Sequence, residues 1–419
     1  MKKNLGANNK VILALIGAGG RGTSVILSMK ENTPNVEVKY ICEVDASRGG
    51  RAIEELSKMQ GYKPKRVGDM RHVFDDKEVD AVVICTPEHW HALAAIRACR
   101  AGKDVYVEKN ISLAIEEGRK MIDTVHEHKR IVQCGTQNRS AAYAESARKY
   151  IQSGKLGNIV HVKSYCMLPG SKPWFLKPDS PVPEGLDWNQ WLGPAPLVPY
   201  NLSRHKAWYD WWAYSGGYSL AGDASHVMDL ARMVLGDPDH PKSVYCAGGR
   251  YLHDDKRDVP DIQNITYDYG SYTLSCVSSQ FGDYMNKTKS EIRYGNKFPD
   301  WKLNATRTEI YGIEGMMYLG RHGGGWQVLS NNGEVVAEEF GMFPDIEHQQ
   351  NFIDSIRTRN TPDGNIEQGH LSATLIHLAN LAYRSGDVQL LFDQEREVFT
   401  NSSKANELSK VTYRPGFEI

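Results

Sequence analysis

Residues 11–22 read VILALIGAGGRG, an apolar run followed directly by a glycine-rich turn. The run Val11–Ile16 has the length of a buried strand, and the turn matches the pattern G-x-G-x-x-G. A helical stretch follows to about Glu31, and between a strand and a helix this pattern favours a dinucleotide-binding turn. The alternative is a glycine-rich turn that binds no nucleotide.

Each glycine of this turn has a physical role in the predicted site. Gly17 permits the tight turn, Gly19 lets the backbone approach a pyrophosphate, and Gly22 lets helix and strand pack closely. The pyrophosphate would sit at the N-terminus of the helix, where unpaired N–H groups favour an anion. We therefore predict a cofactor contact along Gly17, Gly19, Gly20, Arg21 and Gly22.

The same alternation of short apolar runs with helical stretches continues over the first 137 residues. The runs are Val11–Ile16, Val36–Cys42, Val79–Cys85, Asp104–Val107 and Ile131–Cys134. Strands that alternate with helices predict βαβ units and a parallel sheet. We predict an N-terminal α/β domain over residues 1–137, a doubly wound Rossmann fold that binds NAD(P).

From about residue 155 the pattern changes to strand-like runs with period-two alternation. Ile159–Tyr165, Ser243–Tyr251, Ile262–Tyr269 and Tyr272–Phe281 predict a large, open, mostly antiparallel sheet. We assign residues 138–419 to a second, α+β domain for substrate binding and oligomerisation, with C-terminal helices within 348–386. The proline-rich stretch Pro178–Pro199 is predicted to be a surface excursion.

The composition excludes several classes of protein. Among 419 residues, 50 Lys and Arg balance 51 Asp and Glu, so no excess positive charge is available for nucleic acid. The longest apolar run near the front, Val11–Ile16, is too short for a membrane span. Seven scattered cysteines without a CxxC pair indicate buried thiols in a reducing compartment. We expect a cytoplasmic protein; a trimmed export signal is the alternative.

Glu43 is the candidate selector of the cofactor. It follows the second strand-like run, 26 residues after Gly17, where a carboxylate hydrogen-bonds a ribose diol. Its charge would repel a 2′-phosphate, which favours NAD over NADP, although Arg48 nearby weakens that preference.

Two further motifs follow strands at the carboxyl edge of the predicted sheet, where ligands of such sheets bind. In the first, TPEHWH over residues 86–91, we predict cofactor contacts from Thr86, Pro87, Trp90 and His91. The alternative for its histidines is helix capping and packing, and no metal site is predicted without acidic or thiol partners nearby. The second is Glu108-Lys109, whose lysine is either a solvated strand end or a group acting on a hydroxyl or carbonyl.

The fourth motif is the segment SGGYSLAGDASHVMDL, residues 215–230. On a helix, Asp223 and Asp229 would lie one turn before and one turn after His226. A carboxylate beside an imidazole fixes its tautomer and stabilises its charged form, as a general base requires. A structural histidine is the alternative.

Together these motifs resemble the glucose–fructose oxidoreductase and inositol dehydrogenase family over nearly the whole chain. The resemblance rests on the glycine turn, Thr86-Pro87 with His91, Glu108-Lys109, Gln133–Arg139 (QCGTQNR), the run to His226 and Asp229, and the tail segments Glu395–Phe399 and Val411–Pro415. Two positions depart from the family pattern. Asn110 stands where proline is usual, and Gly222 where an aspartate is often found, so either Asp223 takes over that role or the site has changed.

The resemblance implies an NAD-dependent oxidoreductase that moves a hydride between a secondary alcohol carbon of a sugar or cyclitol and the nicotinamide. It implies that His226 is the acid/base, that Lys109 polarises the oxygen, and that Glu108 and Gln137 contact the cofactor. Candidate substrate contacts are Trp208, Tyr214 and Asp229, with Arg139 and Trp174 as weaker ones. The alternative for the aromatic residues is packing in the core or at an oligomer contact. A homodimer or homotetramer is expected from the family. Two other functions stay open: a glycoside hydrolase that uses bound NAD catalytically, and a non-catalytic nucleotide-binding regulator.

Overall fold

A computed structural model describes residues 10–169, 175–386 and 388–419 of the chain. Within these ranges the strands are β1 (Val11–Ile16), β2 (Val36–Cys42), β3 (Lys65–Val67), β4 (Ala81–Ile84), β5 (Asp104–Val107), β6 (Val132–Cys134), β7 (Ile159–Met167), β8 (Ser243–Gly249), β9 (Ile262–Asp268), β10 (Thr273–Ser279), β11 (Thr306–Gly312), β12 (Gly315–Gly320), β13 (Trp326–Ser330), β14 (Val335–Glu339), β15 (Leu390–Asp393) and β16 (Val398–Phe399). The α-helices are α1 (Gly20–Asn32), α2 (Gly50–Gln60), α3 (Arg71–Asp75), α4 (His91–Arg100), α5 (Ile115–His128), α6 (Ala142–Gln152), α7 (Trp188–Leu192), α8 (Leu202–Lys206), α9 (Ser225–Val234), α10 (Ser290–Arg293), α11 (Asp345–Thr358), α12 (Ile366–Gly386) and α13 (Ser403–Leu408).

The N-terminal sheet has the strand order β3-β2-β1-β4-β5-β6, and all of its pairings are parallel. Its central strands are apolar along their length because helices cover both faces. The order reverses between β1 and β4, where ligands of doubly wound folds bind. The predicted Rossmann fold is confirmed, and the short β3 is a strand that the sequence pattern did not indicate.

The second sheet has the order β14-β13-β12-β11-β7-β10-β9-β8-β15-β16. Its pairings are antiparallel except that of β7 with β10, which confirms the predicted, mostly antiparallel sheet. Ile265 and Tyr267 are buried on one face while Asn264 and Thr266, which alternate with them, are exposed, as the alternation predicts. Helices α9 and α12 pack against this buried face.

The C-terminal helices pack on both sheets. Helix α11 inserts Phe352 and Ile353 into the core of the first sheet, and the Phe352 ring lies 5.7 Å from that of Tyr106 on β5. Helix α12 buries Ala373 in the first core and Leu378 in the second. Residues 348–386, which we predicted as part of the second domain, therefore join the two, and the boundary at 137/138 stays a prediction.

An ion-pair cluster fixes the C-terminal hairpin. Glu397 Oε1 accepts hydrogen bonds from His240 Nε2 (2.9 Å), His370 Nε2 (2.6 Å) and the Arg119 guanidinium on α5 (2.7 Å). Two imidazoles and a carboxylate are also ligand types for a metal. Because Arg119 already neutralises the carboxylate and binds both of its oxygens, we assign this cluster to holding the hairpin.

All seven cysteines carry free thiols and six of them are buried, as predicted. None of the helices in the described ranges is long and apolar enough to cross a bilayer.

Candidate active site and cofactor pocket

The glycine turn between β1 and α1 is compact, and two of its four glycines have no room for a side chain. Gly17 has φ of +89°, and a Cβ atom there would lie 2.7 Å from the carbonyl carbon of Cys85. A Cβ atom on Gly22 would lie 2.0 Å from the carbonyl oxygen of Gly17. Helix α1 begins at Gly20, so its first N–H groups open onto the turn and offer an anion site.

A cavity of about 260 Å³ lies against this turn. Its walls combine the glycine turn, the ends of β2 and β4, and residues of the second domain: Gly17, Gly19, Gly20, Arg21, Glu43, Arg48, Thr86, Pro87, Trp90, Trp191, His205 and Trp208. Glu43 is held by the backbone N–H groups of Ala18 (2.8 Å) and Asp45 (3.0 Å). Arg48 reaches the same cavity but is ion-paired with Asp45 at 3.4 Å.

The roof of this cavity, residues 186–195, comes from the segment predicted to be a surface excursion. Trp188 and Trp191 stack at 4.6 Å and are buried, so this prediction is wrong for the roof. The roof is tied to the first domain because Trp90 Nε1 donates to the carbonyl oxygen of Trp191 (3.0 Å). From the C-terminal tail, Arg414 donates to the carbonyl oxygens of Gly193 (2.6 Å) and Asn189 (2.9 Å).

His91 connects the two strand-end motifs. Its Nδ1 lies 2.7 Å from the carbonyl oxygen of Asn110 and its Nε2 lies 2.8 Å from that of Thr86. Burial lowers the pKa of His91, and these carbonyl contacts oppose that effect. With both nitrogens engaged by backbone, His91 holds the Lys109–Asn110 loop, whose peptide bond is cis, against the β4 end.

Glu108 and Lys109 follow β5 and line a second cavity of about 430 Å³. Arg21 Nε donates to Glu108 Oε1 at 2.8 Å. Burial opposes ionisation of Glu108, but the charges of Arg21 and Lys109 outweigh it and hold its pKa below the usual value. The Lys109 ammonium donates to the carbonyl oxygen of Ala221 (3.2 Å), in the turn that leads to α9.

His226 lies at the start of α9 and lines the same second cavity as Lys109. Its side chain is buried. Burial, and then the positive charges of Arg321 and Lys109, lower the pKa of the imidazole well below its usual value. The ring is therefore neutral near pH 7 and is able to accept a proton.

The two aspartates expected beside His226 have other partners. Asp223 pairs with Lys287 at the cavity wall. Asp229 is buried and pairs with Arg139 (2.8 Å) and Ser372 (2.6 Å). The predicted flanking of the imidazole is wrong because tertiary partners compete for both carboxylates. The substrate assignments of Arg139 and Asp229 are corrected as well, since the two form a buried ion pair off the cavity wall.

Of the aromatic residues predicted to contact the substrate, one lines the cavities and another is buried away from them. Trp208 lines both cavities. Tyr214 is buried against the rings of His89 (5.1 Å) and Trp191 (5.0 Å), so we withdraw it as a substrate contact. Trp174 lies outside the described residues. In its place, Tyr209 and Tyr218, with ring centroids 4.7 Å apart, line the second cavity.

Several other cavity residues were missed by the sequence reasoning. Glu88 belongs to the TPEHWH motif, and its carboxylate accepts the Gly216 N–H at 2.8 Å. The wall opposite the first sheet carries Lys287, Arg293, Arg321, Phe343 and Asp345. A signal for Arg321 was present, since RHGGG follows an apolar run, but nothing local related it to the other motifs.

The cavity walls fit a nicotinamide dinucleotide. Thr86 Oγ1 and Gln137 Oε1 are buried, line the second cavity and have no hydrogen-bond partner in the protein. Buried polar atoms in folded proteins are nearly always paired, so an unpaired acceptor and hydroxyl here indicate a missing polar ligand. The open helix N-terminus and the Glu43 carboxylate provide matching positions for a pyrophosphate and a ribose.

The parallel sheet, its glycine turn and the facing antiparallel sheet define a two-domain protein of the dinucleotide-binding Rossmann class. The sequence matches the family described as "Oxidoreductase family, NAD-binding Rossmann fold" over residues 11–136. It matches that family's "C-terminal alpha/beta domain" over residues 141–291 and 315–419. The chain belongs to this oxidoreductase family.

Among similar proteins are two curated dehydrogenases. Levoglucosan dehydrogenase of Pseudarthrobacter phenanthrenivorans is 27% identical over 44% of this chain and 40% of its own length. The NAD⁺-dependent scyllo-inositol 2-dehydrogenase of Bacillus subtilis is 31% identical over 39% of this chain and 47% of its own. The chain thus spans less than half the length of either relative. Aldose-aldose oxidoreductase from Caulobacter crescentus shares the fold, with a TM-score of 0.66 and 18% identity over 91% of this chain and all of that one.

Proposed function

We propose that the protein is an NAD-dependent oxidoreductase that acts on a secondary hydroxyl or keto carbon of a sugar, glycoside or cyclitol. The observation that carries this proposal is the convergence of Lys109 and a neutral His226 on one cavity. The same cavity contains the unpaired polar atoms of Thr86 and Gln137, which fit a cofactor.

The chemistry divides between cofactor and protein. When bound, the nicotinamide supplies the acceptor for the hydride. His226, neutral at the outset, takes the proton of the substrate hydroxyl as its carbon becomes a carbonyl. Lys109 donates a hydrogen bond to that oxygen, with Glu108 and Arg21 fixing the loop behind it. In the reverse direction His226 returns the proton.

Glu43 supports NAD as the cofactor in preference to NADP, because its carboxylate would face a 2′-phosphate in the cavity. Cofactor contacts are assigned to Gly17, Gly19, Gly20, Arg21, Gly22, Glu43, Thr86, Pro87, Trp90, His91, Glu108, Lys109 and Gln137. Trp208 is the retained substrate contact. Asp223 keeps a supporting catalytic role as the partner of Lys287 at the cavity wall. A homodimer or homotetramer and a cytoplasmic location stay predictions.

A second function, glycoside hydrolysis with NAD recycled in each turnover, stays open and is compatible with the roof. Oxidation of one hydroxyl would acidify the neighbouring C–H, and elimination would release the leaving group. Water would then add to the resulting unsaturated ketone, and the hydride taken up in the first step would reduce the ketone again. A bound cofactor covered by Trp191 would exchange slowly, which suits recycling better than release after each turnover.

The test uses purified protein with NAD and a panel of free sugars, inositols and aryl glycosides. Accumulation of NADH with a keto product supports the dehydrogenase. Release of the aglycone without net NADH supports the hydrolase. Tight NAD binding with no reaction on any substrate would favour a non-catalytic regulator. His226→Ala should lower turnover by about 10²–10⁴ while NADH still binds, and near-normal turnover would move the base elsewhere.

A further inference from the structure

An arginine pair lies on the cavity wall opposite the first sheet. Arg321 follows β12, Arg293 ends α10, and both line the cavity that contains Lys109 and His226. Their guanidinium groups lie 4.7 Å and 4.1 Å from the ring centroid of Phe343. An aromatic ring shared by two guanidinium groups fixes both of them in orientation.

Arg321 lacks a partner that would explain its burial. Its residue exposure is 3%, and its Nε and Nη1 atoms are buried without a hydrogen-bond partner. Arginine keeps its charge in proteins, and a buried, unpaired charge is costly. No carboxylate of residues 10–169, 175–386 or 388–419 lies within ion-pair distance of this guanidinium.

The nearest carboxylates are already neutralised. Asp223 pairs with Lys287. Asp345 lies 3.7 Å from Arg293 and 3.8 Å from Arg21. The cavity wall therefore keeps one guanidinium charge uncompensated, on the same cavity as the proposed reacting groups.

We propose that Arg321, supported by Arg293, binds an oxyanion substituent of the substrate, so that the protein acts on acidic carbohydrates. This inference rests on the proposed function, and it specifies the substrate class of that site. Guanidinium groups bind carboxylate, sulfate and phosphate oxygens through paired, charge-assisted hydrogen bonds. The shared chemistry is a planar or tetrahedral oxyanion on a sugar, with a hexuronate, a sugar sulfate or a sugar phosphate as sources.

The test measures binding to the NADH-saturated protein, so that it does not depend on turnover. Calorimetric titrations compare glucose with glucuronate, galactose with galacturonate, and glucose with glucose 6-sulfate and glucose 6-phosphate. At least one acidic sugar should bind roughly 10- to 100-fold more tightly than its neutral counterpart, the scale of a charge-assisted hydrogen bond. The acidic sugar that binds more tightly than its neutral counterpart identifies whether the oxyanion is a carboxylate, a sulfate or a phosphate.

Variants test whether the tighter binding of the acidic sugar depends on the Arg321 guanidinium. Arg321→Gln should abolish the preference for the acidic sugar in the binding titration. Because it also removes a positive charge that lowers the pKa of His226, the pH profile of turnover should shift as well, so the affinity for the acidic sugar is the readout that assigns the contact. Arg321→Lys should keep part of the preference. Arg396→Gln is the matched control, since its side chain is 81% exposed on the C-terminal hairpin. Because Arg321 is unpaired, its replacement by glutamine should leave the melting temperature unchanged or higher.

Equal affinity for neutral and acidic sugars in the unmodified protein would overturn the proposal, whether or not a variant folds. A preference that survives in Arg321→Gln, or competition by inorganic sulfate with no gain for any acidic sugar, would also overturn it. If acidic sugars bind more tightly through Arg321 and no hydride transfer occurs, the oxyanion site stands and the proposed function fails.

Discussion

Glu88 should make the stability of this protein depend on pH. The side chain is buried beside the cavity, and burial raises its pKa from 4.5 to about 7, against the charge of Lys109 and the Gly216 N–H. A folded-state pKa above the unfolded value contributes stability that is complete below about pH 4.5 and is lost as pH rises through about 7. The full loss is about 3 kcal/mol at roughly 1.4 kcal/mol per pKa unit.

Glu88→Gln removes the titration and keeps an oxygen for the Gly216 N–H. Urea unfolding of the cofactor-free protein, followed by tryptophan fluorescence, gives the free energy of unfolding at about pH 5.5 and about pH 8. Between these values the unmodified protein should lose about 2 kcal/mol relative to the variant. Glu127→Gln, at an exposed position of α5, is the control. Its free energy of unfolding should change with pH as that of the unmodified protein does. If the free energy of unfolding of Glu88→Gln shows the same pH dependence as that of the unmodified protein, Glu88 is ionised at both pH values and the argument from burial is wrong.

Three further predictions concern the cofactor cavity and the buried ion pair. NADH should bind at least about tenfold more tightly than NADPH, a difference of about 1.4 kcal/mol in binding free energy, and Glu43→Gln should reduce this ratio. Equal affinities for the two cofactors in a fluorescence titration would show that Glu43 does not discriminate between them. Trp191→Ala should speed NADH dissociation in a stopped-flow chase by about tenfold or more, since it removes the indole that lines the cavity and stacks on Trp188. An unchanged rate would mean that the roof does not retain the cofactor. Arg139→Ala should lower the free energy of unfolding by about 3–5 kcal/mol, because it leaves the buried Asp229 carboxylate without its counter-charge. Normal stability with a raised KM would restore Arg139 as a substrate contact.

The parts of the site that could be predicted from sequence are those in which one short segment contains the whole signal. The glycine turn is such a segment, because the strand, the G-x-G-x-x-G pattern and the helix follow one another, and Gly22 packs directly against the Gly17 carbonyl oxygen. Glu108 and Lys109 were found because the end of a parallel strand already fixes the edge on which they lie.

The errors share a different cause. Helical spacing predicted Asp223 and Asp229 one turn before and one turn after His226. Spacing cannot show that Lys287 and Arg139 compete for their carboxylates from other elements. The roof was misjudged for a related reason. Proline content describes a loop, whereas its burial depends on Trp90 and Arg414, about 100 residues before it and about 220 residues after it.

The packing of α11 on the first sheet has a consequence for synthesis on the ribosome. Strand β6 ends at Cys134 and α11 begins at Asp345, so about 210 residues are translated between them. At roughly 5–20 residues per second, this interval lasts about 10–40 s. Throughout it, the surface of Tyr106 that Phe352 later covers has no partner from its own chain. The apolar surface that α11 covers in the folded protein is therefore left open until about the last fifth of the polypeptide emerges.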